Sequence, residues 1–346
     1  MHQLACKPDS FLTGTKTPAC ALPSRRRALG LAAALGAGLM LAGGAAIAAG
    51  FPERAVTVVV PYSPAGGVDI VTRLVTTPMA EFLGQSMVVE NKPGGGTNIG
   101  MAAVARSAPN GYMLLTASNT LTTNKALYSK LSFDPATDLV PVGRIGEAPL
   151  VVVVNAKSPY KSLAELITAG KTKPGALSYG TAGVGSSGHM ASALLEKAGQ
   201  FKGVHVPYKG GSTAVTDLLG GRLDFMAINP LEVAGHVNSG SLRALAVLNK
   251  NGSRLLPQVP TARSLGVDVQ ATVWWGLVAP KGTPEAVIQT LNAALNKALT
   301  TPAVTQTLAD MGATPLGGTP AQFGSFIQAE TRELGEVIRA ADIRAD

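Results

Sequence analysis

The sequence predicts an α/β fold of two domains, and three observations carry that reading. From residue 55 onward, short β-branched runs alternate with longer amphipathic stretches, the pattern of βαβ units and a largely parallel sheet. The chain has 346 residues, more than one typical domain once a targeting segment is set aside. Two stretches, 142–155 and 274–283, are placed to carry the chain out of one domain and back again.

Residues 1–48 read as a leader. Arg25, Arg26 and Arg27 precede an uncharged run that closes on the small residues Ala46, Ile47 and Ala48. The run is about long enough to span a bilayer as a retained anchor. Its Ala, Gly and Leu composition and its A-x-A end point instead to cleavage after Ala48 and export. SRRRALG (24–30) approximates a twin-arginine signal, with an ordinary secretory leader as the equal alternative. Cys6 and Cys20 both lie in this segment, so the mature chain is expected to have no thiol for a disulfide, a nucleophile or a lipid. The formal charge of +8 divides evenly between leader and mature chain, whose basic residues are scattered singly. Without a basic stripe interleaved with aromatics, nucleic acid is not an expected partner.

AVTVVV (55–60) is apolar nearly throughout, as a strand buried on both faces should be, and PYSPAGG (61–67) breaks it. Val68, Val71, Leu74, Val75 and Phe82 then fall near helical spacing, up to a break at Gly84. The same unit recurs at 176–199, where a strand enters a glycine-rich loop and a helix carrying Ala191, Leu194 and Leu195 leaves it. Further strands are expected at 113–117, 142–155, 225–228, 244–248 and 273–279. Helices are expected at 284–299, 302–311 and 320–340, each opened by a proline suited to a first turn. Trp274 and Trp275 are expected to pack in the crossover. Domain 1 is then residues 49–150 plus 275–346, flanking a domain 2 of 151–274, and two crossings make a hinge that closes around a ligand.

Chemistry concentrates where strands meet helices. In YSPAGGVD (62–69), Gly66 and Gly67 leave backbone N–H groups bare at a helix start, and Ser63 adds a hydroxyl, an arrangement that suits an anion. A glycine turn needed only for tight packing is the competing reading. Asp69 in the first helical turn reads as a dipole partner or brace, or as a contact for a ligand's amino group. TAGVGSSGH (181–189) holds a complete G-x-G-x-x-G at Gly183, Gly185 and Gly188. A dinucleotide site would also need an acidic residue about twenty positions on, and HVPYKG (205–210) has none. Thr181, Ser186 and Ser187 instead supply hydroxyls beside a second helix start. NKPGGGTNIG (91–100) and TASNT (116–120) are candidates to line the cleft from domain 1, the first with a surface turn as an at least equal alternative, and Tyr208 and Lys209 are candidates to close over it from domain 2. Enzyme readings are weak: the mature chain offers His189, His205 and His236 but no cysteine, no metal-ligand spacing and no G-x-S-x-G elbow. His189 beside a helix start reads first as a brace.

Ten segments in order then resemble one family: FPERAVTVVVPYSPAGGVDIVTRL, VVENKPGGGTNIG, APNGYMLL, LVPVG, PGALSYGTAGVGSSGHMA, HVPYKG, GRLDFM, LRALAV, VPT and WWGLVAPKGTP. The resemblance is to the solute-binding proteins of tripartite tricarboxylate transporters, the Bug family of periplasmic receptors, and it runs from about Phe51 to the C-terminus. It implies a two-domain periplasmic-binding-protein-like fold of type II. A small carboxylate would sit in the interdomain cleft, held by the two glycine-rich loops and by ordered waters. Carried over, Tyr62, Ser63, Ala65, Gly66, Gly67 and Asp69 form one wall. Thr181, Ala182, Gly185, Ser186, Ser187 and His189 form the other, with Ser118 and Asn119 at a strand end facing the cleft. The family's usual proline before its glycines is Ala65 here, and its third glycine is Val68. The resemblance also implies a monomeric periplasmic receptor without cofactor, metal or catalysis, partnered by the membrane subunits of a tripartite transporter. A receptor for a membrane sensor, or an enzyme using the same cleft, are the alternatives.

Overall fold

The computed structural model of the protein describes residues 50–340 and 343–345, so the expected leader lies outside the described residues. The first unit matches the sequence closely. β1 (Val56–Val60) has Val56, Val58, Val59 and Val60 fully buried. Val58 and Val60 pack into the same core as Val71 and Val75 of α1 (Gly67–Leu83). Val59 faces the other way, onto Met101 and Val104 of α2 (Asn98–Ala105). A strand covered on both faces cannot alternate with polar residues, which is why its sequence does not. Gly84 ends α1 in the left-handed conformation, φ 67°, at the predicted break.

β2 (Met87–Asn91), β3 (Met113–Ala117), α3 (Thr120–Leu127) and β4 (Leu139–Pro149) complete the first stretch. The chain then builds a second sheet. It runs through β5 (Val151–Asn155), α4 (Leu163–Thr172), β6 (Ser178–Thr181), α5 (Ser187–Gly199) and β7 (Val204–Pro207). α6 (Gly211–Leu219), β8 (Phe225–Ile228), α7 (Pro230–Asn238) and β9 (Leu242–Val247) follow. β10 (Thr272–Pro280) returns to the first sheet, and α8 (Glu285–Leu299), α9 (Pro302–Asp310), β11 (Thr314–Gly317) and α10 (Pro320–Ala340) finish the chain.

The first sheet has the order β11-β4-β10-β3-β1-β2 and the second β7-β6-β8-β5-β9. Three expectations are corrected here. The sheets are mixed, not largely parallel: β1 pairs in parallel with β2 and β3, and β6 with β7 and β8, but β10 and β5 run antiparallel to every neighbour. β5 and β10 arrive from the other sheet and not through a crossover helix, so nothing imposes the parallel direction on them. The segment 142–155 is two strands, broken at Leu150, that belong to different sheets. Pro284 stands outside α8 with an extended ψ of 139°, whereas Pro302 and Pro320 do begin their helices.

The two passages between the sheets lie side by side. Leu150 donates its N–H to the Ala271 carbonyl (3.2 Å) and accepts from Leu248 (2.7 Å). Beside them, Trp274 and Trp275 are both fully buried on opposite faces of β10, Trp274 against Phe323 and Phe326 and Trp275 in the larger core. Among the described residues no helix is long and apolar enough to cross a membrane.

Candidate functional site

Four helices start around one cavity. Gly66 and Gly67 open α1, Ser186 and Ser187 open α5, Gly211 opens α6, and Asn229 caps α7, whose Glu232 lies in the first turn. The cavity holds about 50 Å³. Each helix start follows a strand end, so the unpaired N–H groups and the positive ends of the helix dipoles face inward together. Tyr62 and Ser118 from the first sheet, Thr181 and Ala182 from the second, and Val273 and Trp275 from the returning strand complete the wall.

The polar groups here fall into two kinds. Some are fixed by the protein: Tyr62 Oη bonds Thr120 Oγ1 at 3.0 Å, and burial pushes its pKa up to about 12. Ser186 caps α5 by accepting from the His189 N–H (3.4 Å), and Asn229 Oδ1 caps α7 by accepting from the Leu231 N–H (3.0 Å). Others are buried with no partner among the described residues: Asn229 Nδ2, Trp275 Nε1 and Glu232 Oε2. Leaving such groups unpaired costs about 1–3 kcal/mol each, and three of them belong to residues lining this one cavity. Among the described residues no Lys or Arg lines the cavity, and its single ordinarily charged side chain is Glu232. Burial pushes the Glu232 carboxyl up to about 7, with the Gly67 N–H bonded to it pulling the other way.

The structure thus brings together at the cavity Tyr62, Gly66, Gly67, Ser118, Thr181, Ala182, Ser186 and Ser187, all expected from sequence. The other expected residues stand behind the wall or at its rim. Ser63 donates its N–H and hydroxyl to the Lys209 carbonyl, both at 3.1 Å, closing one rim between loops of the two sheets. Ser212 Oγ to the Pro64 carbonyl (3.4 Å) and Thr123 Oγ1 to the Gly185 carbonyl (2.9 Å) close it elsewhere. Ala65 holds a left-handed φ of 61°, and its N–H donates to Asp69 Oδ2 (3.0 Å). Burial alone would raise the Asp69 pKa, but Arg73, the Ala65 N–H and Asn91 Nδ2 hold it below the usual carboxylate range, so Asp69 braces the loop from inside. Asn119 ties the strand ends, its Nδ2 to the Thr272 carbonyl at 3.3 Å. His189 accepts the Gly185 N–H on Nδ1 (3.1 Å) and stacks on His205 with centroids 3.9 Å apart, a brace under the loop. Tyr208 turns to Asp217 Oδ2 (2.6 Å) instead of the cavity.

The G-x-G-x-x-G spacing has a structural explanation. Gly183 and Gly185 sit at φ 127° and 77°, and at Gly188 an added side chain would run into the Ala227 backbone carbonyl. The three glycines turn the loop and let α5 press against β8, so the spacing needs no dinucleotide. Sequence reasoning missed the wall from α6, α7 and β10. Its signal was present in Ile228-Asn229-Pro230, a strand running directly into an N-cap and a first-turn proline, the same junction as in the two loops that were recognised. Trp275, expected only to pack, also lines the cavity, and its buried indole N–H has no partner among the described residues.

Residues 71–343 match the family described as the tripartite tricarboxylate transporter family receptor. The chain belongs to this family. Protein BugT of Bordetella pertussis is 37% identical over 292 residues, covering 84% of this chain and 90% of BugT. Among solved structures, MatC from Rhodopseudomonas palustris with bound malate superposes with a TM-score of 0.79 at 32% identity, covering 83% of this chain and all 100% of MatC. An R. palustris protein with adipate gives 0.82 at 31% identity, covering 85% and 99%. The fold is therefore α/β, of the periplasmic-binding-protein type seen in these receptors.

Proposed function

We propose that the protein is an exported receptor that takes a small carboxylate into this cavity and delivers it to the membrane subunits of a tripartite transporter, without chemistry on the ligand. The observation that carries the reading is the convergence of helix starts with two buried, unpartnered donors, Asn229 Nδ2 and Trp275 Nε1. The malate and adipate bound by the two solved relatives support a carboxylate as the ligand class. In this reading residues 49–150 plus 275–346 form one domain and 151–274 the other, the paired passages at Leu150 and Ala271 act as the hinge, and the rim bonds from Ser63 and Ser212 must open for entry. The leader directs the chain to the periplasm, where it works as a monomer.

A micromolar ligand needs about 8 kcal/mol. A hydrogen bond to a charged group nets about 1.5–3 kcal/mol, and a helix start adds up to about 2 kcal/mol. About four such donors suffice without a Lys or Arg. Calorimetric titration with the tightest carboxylate from a thermal-shift panel is the test. Gly67→Val should weaken binding at least tenfold, because its side chain enters against Glu232 Oε1 (3.2 Å) and Asn229 Nδ2 (3.3 Å). Ser186→Ala should weaken it less, and Lys209→Ala by under twofold, since only the Lys209 carbonyl is engaged. Loss confined to the Lys209 variant would mean that a side-chain cation holds the ligand.

A further inference from the structure

Glu232 is the feature of the cavity that a plain carboxylate site does not account for. It lies in the first turn of α7, yet its carboxyl reaches across to the start of α1, where the Gly67 N–H donates to it. The residue keeps some surface, but Oε2 is shut off from solvent and has no partner among the described residues. Glycines form its cradle: a side chain at Gly211 would collide with the carboxyl, and one at Gly67 would lie 3.2 Å from Oε1. The titratable group facing it is Tyr62, which burial keeps protonated. Asn229, Gly66 and Gly211 supply no charge. A buried carboxylate without a cation is costly unless something positive meets it.

We propose that Glu232 is a specificity-determining residue that requires a protonated amine beside the ligand's carboxylate, so that the occupant is of the amino-acid class. The inference rests on the carboxylate-receptor reading above. The donors Asn229 Nδ2 and Trp275 Nε1 and the helix starts take the ligand's carboxylate, while Oε2 takes its ammonium, so the zwitterion satisfies the donors and the acceptor together. A dianion would bring a second negative charge to an uncompensated carboxylate. A site built to bond a ligand N–H rejects the analogue that lacks it, because its own polar group is then left unpaired.

The experiment uses pairs that differ by the amine alone: L-aspartate and succinate, L-glutamate and glutarate, L-alanine and propionate, L-phenylalanine and 3-phenylpropionate. Binding to the mature protein is measured by calorimetry at pH 8, above the Glu232 value of about 7. For at least one pair the amino acid should bind at least tenfold more tightly. Glu232→Gln, of the same shape, should bring that pair within about threefold of each other, with the plain acid binding no worse than to the parent protein. If a plain acid binds the parent as tightly as its amine partner, or the preference survives in Glu232→Gln, the inference is wrong. It is equally wrong if plain acids alone bind, with affinity falling as pH rises from 6 to 8, since a proton on Glu232 would then replace the amine. Those results leave the carboxylate reading standing, whereas binding by no member of any pair overturns both.

Discussion

Replacing both His189 and His205 with glutamine is expected to remove most of the acid sensitivity of this fold between pH 6.5 and 4. The rings stack at 3.9 Å with an interplanar angle of 11°, and Tyr179 stacks on His205 at 5.2 Å. Burial holds His189 down to about 3, helped by His205, and burial holds His205 down to about 4. Their bonds suit neutral rings: His189 Nδ1 accepts from Gly185, and His205 Nε2 meets Thr181 Oγ1 at 2.6 Å. In the unfolded chain both histidines titrate near 6.5. Their folded values are depressed, so the stability they confer is fully present above pH 6.5. It is lost as the pH falls below that, because the unfolded chain takes up protons that the folded one refuses. At about 1.4 kcal/mol per unit, two such groups lose on the order of 5 kcal/mol by pH 4. Glu232, with its raised value, works in the opposite direction over the same range and is common to both proteins. Urea melts at pH 7, 6, 5 and 4 should therefore show the parent losing several kcal/mol more than the double variant. Parallel curves would show that the pair is not buried neutral.

Gly188→Ala is expected to cost both stability and binding, whereas Gly235→Ala should do neither. At Gly188 the new methyl meets the Ala227 carbonyl, which is backbone of β8 and cannot rotate away. Overpacking of this kind costs about 1–3 kcal/mol. It also backs the start of α5 away from the cavity, so carboxylate binding should fall at least tenfold. Gly235 lies in α7, exposed, with nothing within 4 Å of an added methyl. There alanine gains helix propensity of about 0.5–1 kcal/mol. Melting temperatures and titrations of the two variants are the measurement, and a stable, fully binding Gly188→Ala protein would show that α5 can shift freely.

The contrast explains what could be read from sequence. β1 and the first turn of α1 are written in local signals, an unbroken valine run and then a glycine pair, and they stand where expected. The hydroxyl-rich loop before α5 was legible for the same reason. Strand direction was not, because it depends on where β10 inserts, a partner some 150 residues away; Trp274 N meets Asn119 Oδ1 across a separation of 155. Glu232 was invisible for another reason. On its own helix it is an ordinary first-turn acid, and only the approach of Gly67 and Gly211 makes it a buried, half-satisfied carboxyl.

The position of β10 also governs the order in which the chain can be completed. β3 and β4, made early, do not touch through hydrogen bonds; the strand that joins them is Thr272–Pro280. Every strand of the second sheet lies between Val151 and Val247, so that sheet has all its parts before the first one does. A chain emerging from its N-terminus therefore holds the β2-β1-β3 strip and the lone β4 unjoined until Thr272–Pro280 has been synthesised. The first sheet is the high-contact-order half, and its open edges at β3 and β4 are the surfaces exposed longest to wrong pairing before folding ends.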